Sequence, residues 1–492
     1  MYGEYGEALH KRLQHDFLGL DVRYPLADGR VRRRHYLDSA ASTLRLGAAH
    51  RLAEAFLGHY GSTHSELHYG ARIASAAYRW AHDQVLRFVG ADPEHYTCFF
   101  AGSGATAGVN RMARTLAALR PERDTVLVSE MEHHSNDLPH RRHSTRVLHI
   151  PLSGTAPALG AIDLKALARL LEANRGRVNY LAITGASNVT GILNPLADIA
   201  ELAHAHGAWL LVDGAQWVAH APVRMSAPEH PARALDVLVF SGHKIYAPGA
   251  PGVVVARREL LAGGLPDELG GGMVEDVFLS DYMVSPHFPE REEAGTPNIV
   301  GAVMLGAVLE LLMRVGMDSV HAAEARLLAR ALPALAALPG VRVYGITDPA
   351  CAPRTGIISF NLEGLDHGLV AAILNDYYNI AVRNACFCAH PYVREMLKPE
   401  LWALDIDPDT PRGLEAVELK RGMVRASFGL YTTEDDVEAL IAALADILER
   451  REHYAAQYAV DADGVYRHRR FRLEATALFD PARVLDSLLP PT

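Results

Sequence analysis

Between Thr97 and Leu260 short apolar and β-branched runs alternate with alanine- and leucine-rich stretches of helical length, and this alternation restricts the fold more than any other feature. The runs include Cys98–Phe100, Thr125–Ser129, Val147–Pro151, Tyr180–Gly185 and Trp209–Asp213. Repeated strand–helix alternation predicts an α/β architecture, a mostly parallel sheet covered on both faces. Such sheets place their sites beyond the C-terminal ends of the strands. Leu210-Leu211-Val212 ends there in Asp213-Gly214-Ala215-Gln216, and Val237-Leu238-Val239-Phe240 runs into Ser241-Gly242-His243-Lys244. A lone lysine is ordinarily a solvated charge. A lysine and an aspartate delivered together by two strands are placed differently: the amine can form a Schiff base, and the carboxylate can hold a pyridinium nitrogen. These are the requirements of pyridoxal phosphate.

At 492 residues the chain is long enough for two or more domains. We expect an N-terminal arm over 1–35 containing the basic run Arg32-Arg33-Arg34, and a large domain over 36–298. A smaller α+β domain is expected over 299–450, reached through the helical pattern Ile299–Val315, with an extension over 451–492. A formal charge of −10 offers no basic footprint for nucleic acid. Four cysteines make no disulfide framework, the opening Met-Tyr-Gly-Glu-Tyr-Gly-Glu has no secretory pattern, and no apolar run spans a bilayer. The expectation is a cytoplasmic enzyme that binds neither nucleic acid nor membrane.

Three further segments carry chemistry. Phe99–Gly108 reads as a strand entering a glycine-rich turn and then a helix, where backbone N–H groups at Ala105 and the Thr106 hydroxyl can meet a phosphate. It lacks the Gly-Lys-Ser/Thr ending of a triphosphate loop. In Glu130-Met131-Glu132-His133-His134-Ser135-Asn136, a histidine at a strand end can stack on a flat ring, or be a satisfied surface side chain. Arg383-Asn384-Ala385-Cys386-Phe387-Cys388-Ala389-His390-Pro391 holds two of the four thiols beside arginine and histidine. Positive charge there favours a nucleophilic thiolate, whereas two thiols and one imidazole leave a zinc shell incomplete, so no metal site is assigned. Arg425, in the strand-like Val424–Phe428, could grip a carboxylate or form a surface ion pair.

In order along the chain, Leu37-Asp38-Ser39-Ala40-Ala41, Glu132-His133-His134-Ser135-Asn136, Ser187-Asn188-Val189-Thr190-Gly191, Asp213-Gly214-Ala215-Gln216, Ser241-Gly242-His243-Lys244, Gly270-Gly271-Gly272-Met273, Glu293–Asn298 and Arg425-Ala426-Ser427 resemble the class-V aminotransferases. The likeness is to their cysteine desulfurase and selenocysteine lyase group, over about residues 36–447. It implies a fold-type I pyridoxal-phosphate enzyme with a mostly parallel seven-stranded sheet, a smaller C-terminal domain and a homodimeric assembly. By the same resemblance Lys244 is the Schiff-base lysine, His133 stacks on the cofactor, Asp213 pairs with the ring nitrogen and Gln216 with the phenolic oxygen. Ala105, Thr106, Ser241 and His243 hold the phosphate, with Thr296 reaching over from a second subunit. Arg425 and Asn188 grip the substrate carboxylate, Arg383 and His68 stand on the substrate side, and His64 and His68 match a histidine-bearing segment near the family's site.

Cys388, five residues after Arg383, falls where the family keeps its nucleophile. The family commonly reads Arg-Thr-Gly-His-His-Cys there, so Ala385, Cys386 and Phe387 are departures; Cys-Phe-Cys is similar to the desulfurase domain of molybdenum-cofactor sulfurases. The implied activity is an L-cysteine desulfurase that leaves a persulfide on Cys388, releases alanine and passes sulfur to an acceptor protein or small molecule, with Cys386 as a relay or a spectator. The alternatives are a selenocysteine lyase or a cysteine C–S lyase of the same fold, or a non-catalytic sulfur-carrier scaffold.

Overall fold

The computed structural model describes residues 5–63, 65–348, 350–403 and 422–489. Seven runs form the central sheet: β1 Tyr96–Ala101, β2 Thr125–Ser129, β3 Arg146–Ile150, β4 Val178–Thr184, β5 Trp209–Asp213, β6 Val237–Ser241 and β7 Gly252–Arg257. Their spatial order is β1-β7-β6-β5-β4-β2-β3. Strands β3, β2, β4, β5 and β6 are mutually parallel, and β7 is antiparallel to both β6 and β1. Since β7 alone is reversed, β1, β2, β4, β5 and β6 bring Ala101, Ser129, Thr184, Asp213 and Ser241 to one edge. Alternate residues enter two apolar layers: Leu211, Val239 and Val254 one, Leu210, Val212 and Phe240 the other. A sheet covered on both faces requires the continuous apolar runs that the sequence displays. Helix α1, Gly104–Leu119, lies on one face so closely that a Cβ on Gly108 would come within 2.6 Å of Val239.

The Asn298 side chain accepts from Gly301 N–H and starts helix α2, Ile299–Val315, which is almost wholly buried; Gly316, at φ +85°, then turns the chain into α3, Met317–Ala337. A second core gathers around an antiparallel sheet of β8 Val341–Val343, β9 Ile357–Leu362, β10 Arg383–Ala385 and β11 Met423–Ser427, in the order β8-β9-β11-β10. Helices α3, α4 (His367–Tyr378) and α5 (Glu434–Glu449) cover it. A capping box between Thr433 and Asp436 fixes the start of α5.

The ends of the chain differ from expectation. The first 35 residues are not a solvated arm: Gly6–Leu13 is a helix, and Leu9, Leu13, Phe17 and Leu20 enter the principal core. Leu9 and Leu13, four residues apart, share one face of that helix, and Phe17 and Leu20 follow in the bridge and turn after it. Beyond residue 450, Tyr454 and Tyr458 are buried in the second core, and Tyr458–Val460 pairs with Tyr466–His468. The segment after Tyr36 links sheet to sheet: Ala40 N–H donates to Ser427 Oγ at 2.9 Å, and Thr43 N–H to His243 O at 3.0 Å. Among the described residues no single helix is long and apolar enough to cross a membrane.

Candidate active site

Beyond the shared edge lies a cavity of about 240 Å³ lined by Lys244, Asp213, Gln216, His133, Ala105, Thr106, Ser241, His243 and Asn188. Nine of the expected site residues therefore converge there from five strand ends and the loops after them. A larger cleft of about 520 Å³ lies beside Tyr78 and His82, but none of these nine residues lines it. Lys244 closes the short turn after β6 and is half-buried. Burial pushes its amine below the ordinary lysine range, with Asp213 opposing. Asp213 accepts from Ala215 N–H at 2.9 Å, and burial raises its carboxyl. Gln216 donates from Nε2 to Ala40 O at 2.6 Å, which fixes the amide at the cavity wall.

His133 caps the next turn, its Nδ1 accepting from Ser135 N–H at 3.1 Å. Burial, reinforced by Lys244, pushes the imidazole down to about 4, so the ring facing the cavity is neutral near pH 7. At the start of α1, Ala105 N–H donates to Ser241 Oγ at 2.7 Å, and Thr106 Oγ1 lies 2.8 Å from Ser135 Oγ. Gly104, at φ +63°, permits the approach, since a Cβ there would stand 2.8 Å from Ser241 Oγ. His243 Nδ1 lies 3.2 Å from Ser42 Oγ.

The other expected residues divide between the second sheet with the loop after β10 and places outside the cavity lining. Asn188 donates to Phe387 O at 2.7 Å and accepts from Arg425 Nη1 at 2.8 Å through its own carbonyl. Arg425 is buried and, by that burial, pushed down to about 10; its Nε has no partner, and Asp38 lies 3.4 Å from Nη2. Arg383 is registered opposite Arg425 in the β10–β11 pair. Cys388 is exposed but near enough to influence the charge of both Lys244 and Arg425, whereas Cys386 is buried. Ala385, Phe387 and Cys388 hold left-handed φ values of 95°, 52° and 55°, so backbone strain of about 1 kcal/mol or more each is concentrated beside the thiol. His68 stands apart from the cavity lining and caps the helix Tyr69–Phe88 through Ala71 N–H. Thr296 is not among the cavity residues, and His64 lies outside the described residues.

Some contributors carry little sequence signal. Asp38 and Phe387 both meet Arg425, with the Phe387 ring centroid 4.7 Å from the guanidinium carbon. Glu132 is buried beneath His133 and accepts from Ser129 Oγ, Asn136 Nδ2 and Thr184 N–H. Burial outweighs these bonds and raises its carboxyl to about 8. A group raised in the fold stabilises it fully below its unfolded value and loses that contribution as pH rises through the folded value. The stability difference between the wild type and Glu132→Gln is therefore expected to shift against the wild type by about 2 kcal/mol or more as pH rises from 6 to 9. Urea unfolding at both pH values checks this, and an unchanged difference refutes it.

The donor set suits a phosphorylated pyridine aldehyde. A half-buried amine, a buried carboxylate and a neutral imidazole line one cavity with a helix start, its hydroxyls and His243. A family model described as aminotransferase class-V matches residues 35–440. The chain is 34% identical over 418 residues to a cysteine desulfurase of Dickeya dadantii, covering 83% of this chain and 90% of that protein. It is 35% identical over 418 residues to one of Klebsiella pneumoniae, covering 84% and 93%. Among solved structures it is similar to an apo cysteine desulfurase from Thermococcus onnurineus, with TM-score 0.75, 26% identity and coverage of 91% of this chain and 100% of that one. It is also similar to the cysteine desulfurase CsdA from Escherichia coli in its S-sulfonic acid form, with TM-score 0.71, 28% identity and coverage of 89% and 98%.

Proposed function

The chain belongs to the aminotransferase class-V family as a pyridoxal-phosphate-dependent cysteine desulfurase, and from that premise we propose how its residues divide the work. When bound, the cofactor supplies an electron sink for charge developing at the substrate Cα. Lys244 would hold it covalently and then move the α-proton; burial keeps its amine below the ordinary lysine range, which eases loss of its proton. His133 stacks on the ring as a neutral imidazole, Asp213 keeps the ring nitrogen protonated, and Gln216 meets the phenolic oxygen. Ala105 N–H, Thr106, Ser241 and His243 hold the phosphate, with Thr296 contributed by a second copy of the chain.

Arg425 and Asn188 orient the substrate carboxylate, a pairing that the unpartnered Arg425 Nε supports. Arg383 adds positive charge at the mouth. Cys388 attacks the substrate sulfur and retains it as a persulfide, and alanine leaves. The observation that carries this reading is an exposed thiol on a loop whose Phe387 carbonyl is held by Asn188 of the cavity wall. Exposure also suits delivery of sulfur to an acceptor. All four cysteines are free, which suits a reducing compartment and supports a cytoplasmic location. The hairpin Val274–Val277 and Tyr282–Val284 exposes Phe278, Leu279 and Met283 close in sequence to Thr296, which supports a homodimer.

Incubating the purified holoenzyme with L-cysteine is expected to release alanine and add one sulfur to the peptide containing Cys388, as read by mass spectrometry. Absence of both products refutes the proposal.

A further inference from the structure

We propose that His134 and His390 form an imidazole clasp that positions Cys388 over the active site, and that the clasp closes only while His134 is neutral. The proposal rests on Cys388 being the sulfur-accepting thiol. Only five non-glycine residues among those described have positive φ, and three of them are Ala385, Phe387 and Cys388. Such a run persists where its surroundings pin it. The pins are specific: Asn188 Nδ2 donates to Phe387 O, and His134 N–H donates to Cys388 O at 2.8 Å. His390 then reaches back, its N–H 3.3 Å and its Nδ1 2.9 Å from His134 Nε2. The two ring planes lie within 12° of each other, with centroids 4.7 Å apart.

The bonding pattern determines the tautomers. A backbone N–H can only donate, so His134 Nε2 bears its lone pair toward the loop, and His390 Nδ1 must also be a donor. A neutral His134 therefore carries its proton on Nδ1. Protonation of Nε2 would set its N–H against the His390 backbone N–H and force the His390 ring into its other tautomer, which opens the clasp. Burial already disfavours the charged form of His134; Asp137 opposes, and Arg141 reinforces. The titratable and charged groups around it are His133 on the preceding residue, the Asp137–Arg141 ion pair, His149 on β3 within 3.4 Å of Asp137, and His390 and Cys388 on the loop. Because His134 directly follows His133, the clasp ties the cysteine loop to the segment that walls the cofactor cavity. His134 and His390 are positioning residues, since they act through the placement of Cys388.

The test uses full-length holoenzyme with His390→Ala, His390→Gln and His134→Gln, and two readouts. One is single-turnover persulfide formation across pH. The other is the rate at which iodoacetamide labels Cys388 relative to exposed Cys351, which needs no turnover. His390→Ala is expected to slow persulfide formation about tenfold with little change in KM, and to raise relative labelling of Cys388 about fivefold. His390→Gln, whose amide can donate, is expected to recover most of both. The wild type should lose rate as pH falls through protonation of His134, and His134→Gln, an acceptor at every pH, should flatten that acid limb. Unchanged labelling in His390→Ala, or an acid limb in His134→Gln identical to that of the wild type, overturns the clasp. Labelling of buried Cys98 would report an unfolded variant, in which case the two glutamine variants decide. If the wild type forms no persulfide, the assigned reaction fails, and the labelling comparison still decides the clasp.

Discussion

Replacing Lys244 with alanine is expected to end alanine release from L-cysteine, lowering the rate by about 10⁴-fold or more. The size follows from two losses at one atom: the covalent hold on the cofactor and the base that moves the α-proton. No neighbour can substitute. Asp213 is buried with its carboxyl raised and accepts from Ala215 N–H, and His133 offers a neutral ring whose Nδ1 already accepts from Ser135 N–H. Lys244→Arg should fail almost as completely, because a guanidinium does not give up its proton near neutral pH. Alanine measured by amino-acid analysis, beside the absorbance of protein-bound cofactor after gel filtration, checks both variants. A Lys244→Ala enzyme retaining more than about a tenth of the wild-type rate would remove the lysine from its assigned role.

The second large effect is expected at Cys388. Cys388→Ala should lose the persulfide completely and slow alanine release by about 10²-fold or more, since the sulfur then leaves without its nucleophile. Cys386→Ala should still form the Cys388 persulfide, because Cys386 is buried and only Cys388 is exposed beside Lys244 and Arg425. Mass spectrometry of the loop peptide and parallel alanine assays separate the outcomes. Continued alanine release with free sulfide from Cys388→Ala would replace the desulfurase assignment by a lyase. Loss of the persulfide in Cys386→Ala alone would move the nucleophile by two residues.

Both variants act at residues legible before any coordinates. Asp213, Gln216, Ser241, His243 and Lys244 stand directly after apolar runs, and a parallel sheet sends the ends of such runs to one edge. Helix Ile299–Val315 has the bounds its pattern predicts. The N-terminal helix was hidden because Leu9, Leu13, Phe17 and Leu20 are scattered among charged residues, and their burial depends on a surface built elsewhere in the chain. His68 reads as a site residue by its motif, whereas its side chain is taken up in capping a helix.

The sequence by itself determined the α/β class, the family and the residues that reach the cavity from strand ends, because these follow from periodicities of a few residues and from motifs a few residues long. Only the tertiary structure decided which distant groups meet. Asp38 with Arg425, Asn188 with the carbonyl of Phe387, and His134 with His390 each join segments well over a hundred residues apart. The left-handed backbone at Ala385, Phe387 and Cys388 belongs with them, since none of these residues prefers that conformation and distant residues, Asn188 and His134, hold the carbonyls of Phe387 and Cys388.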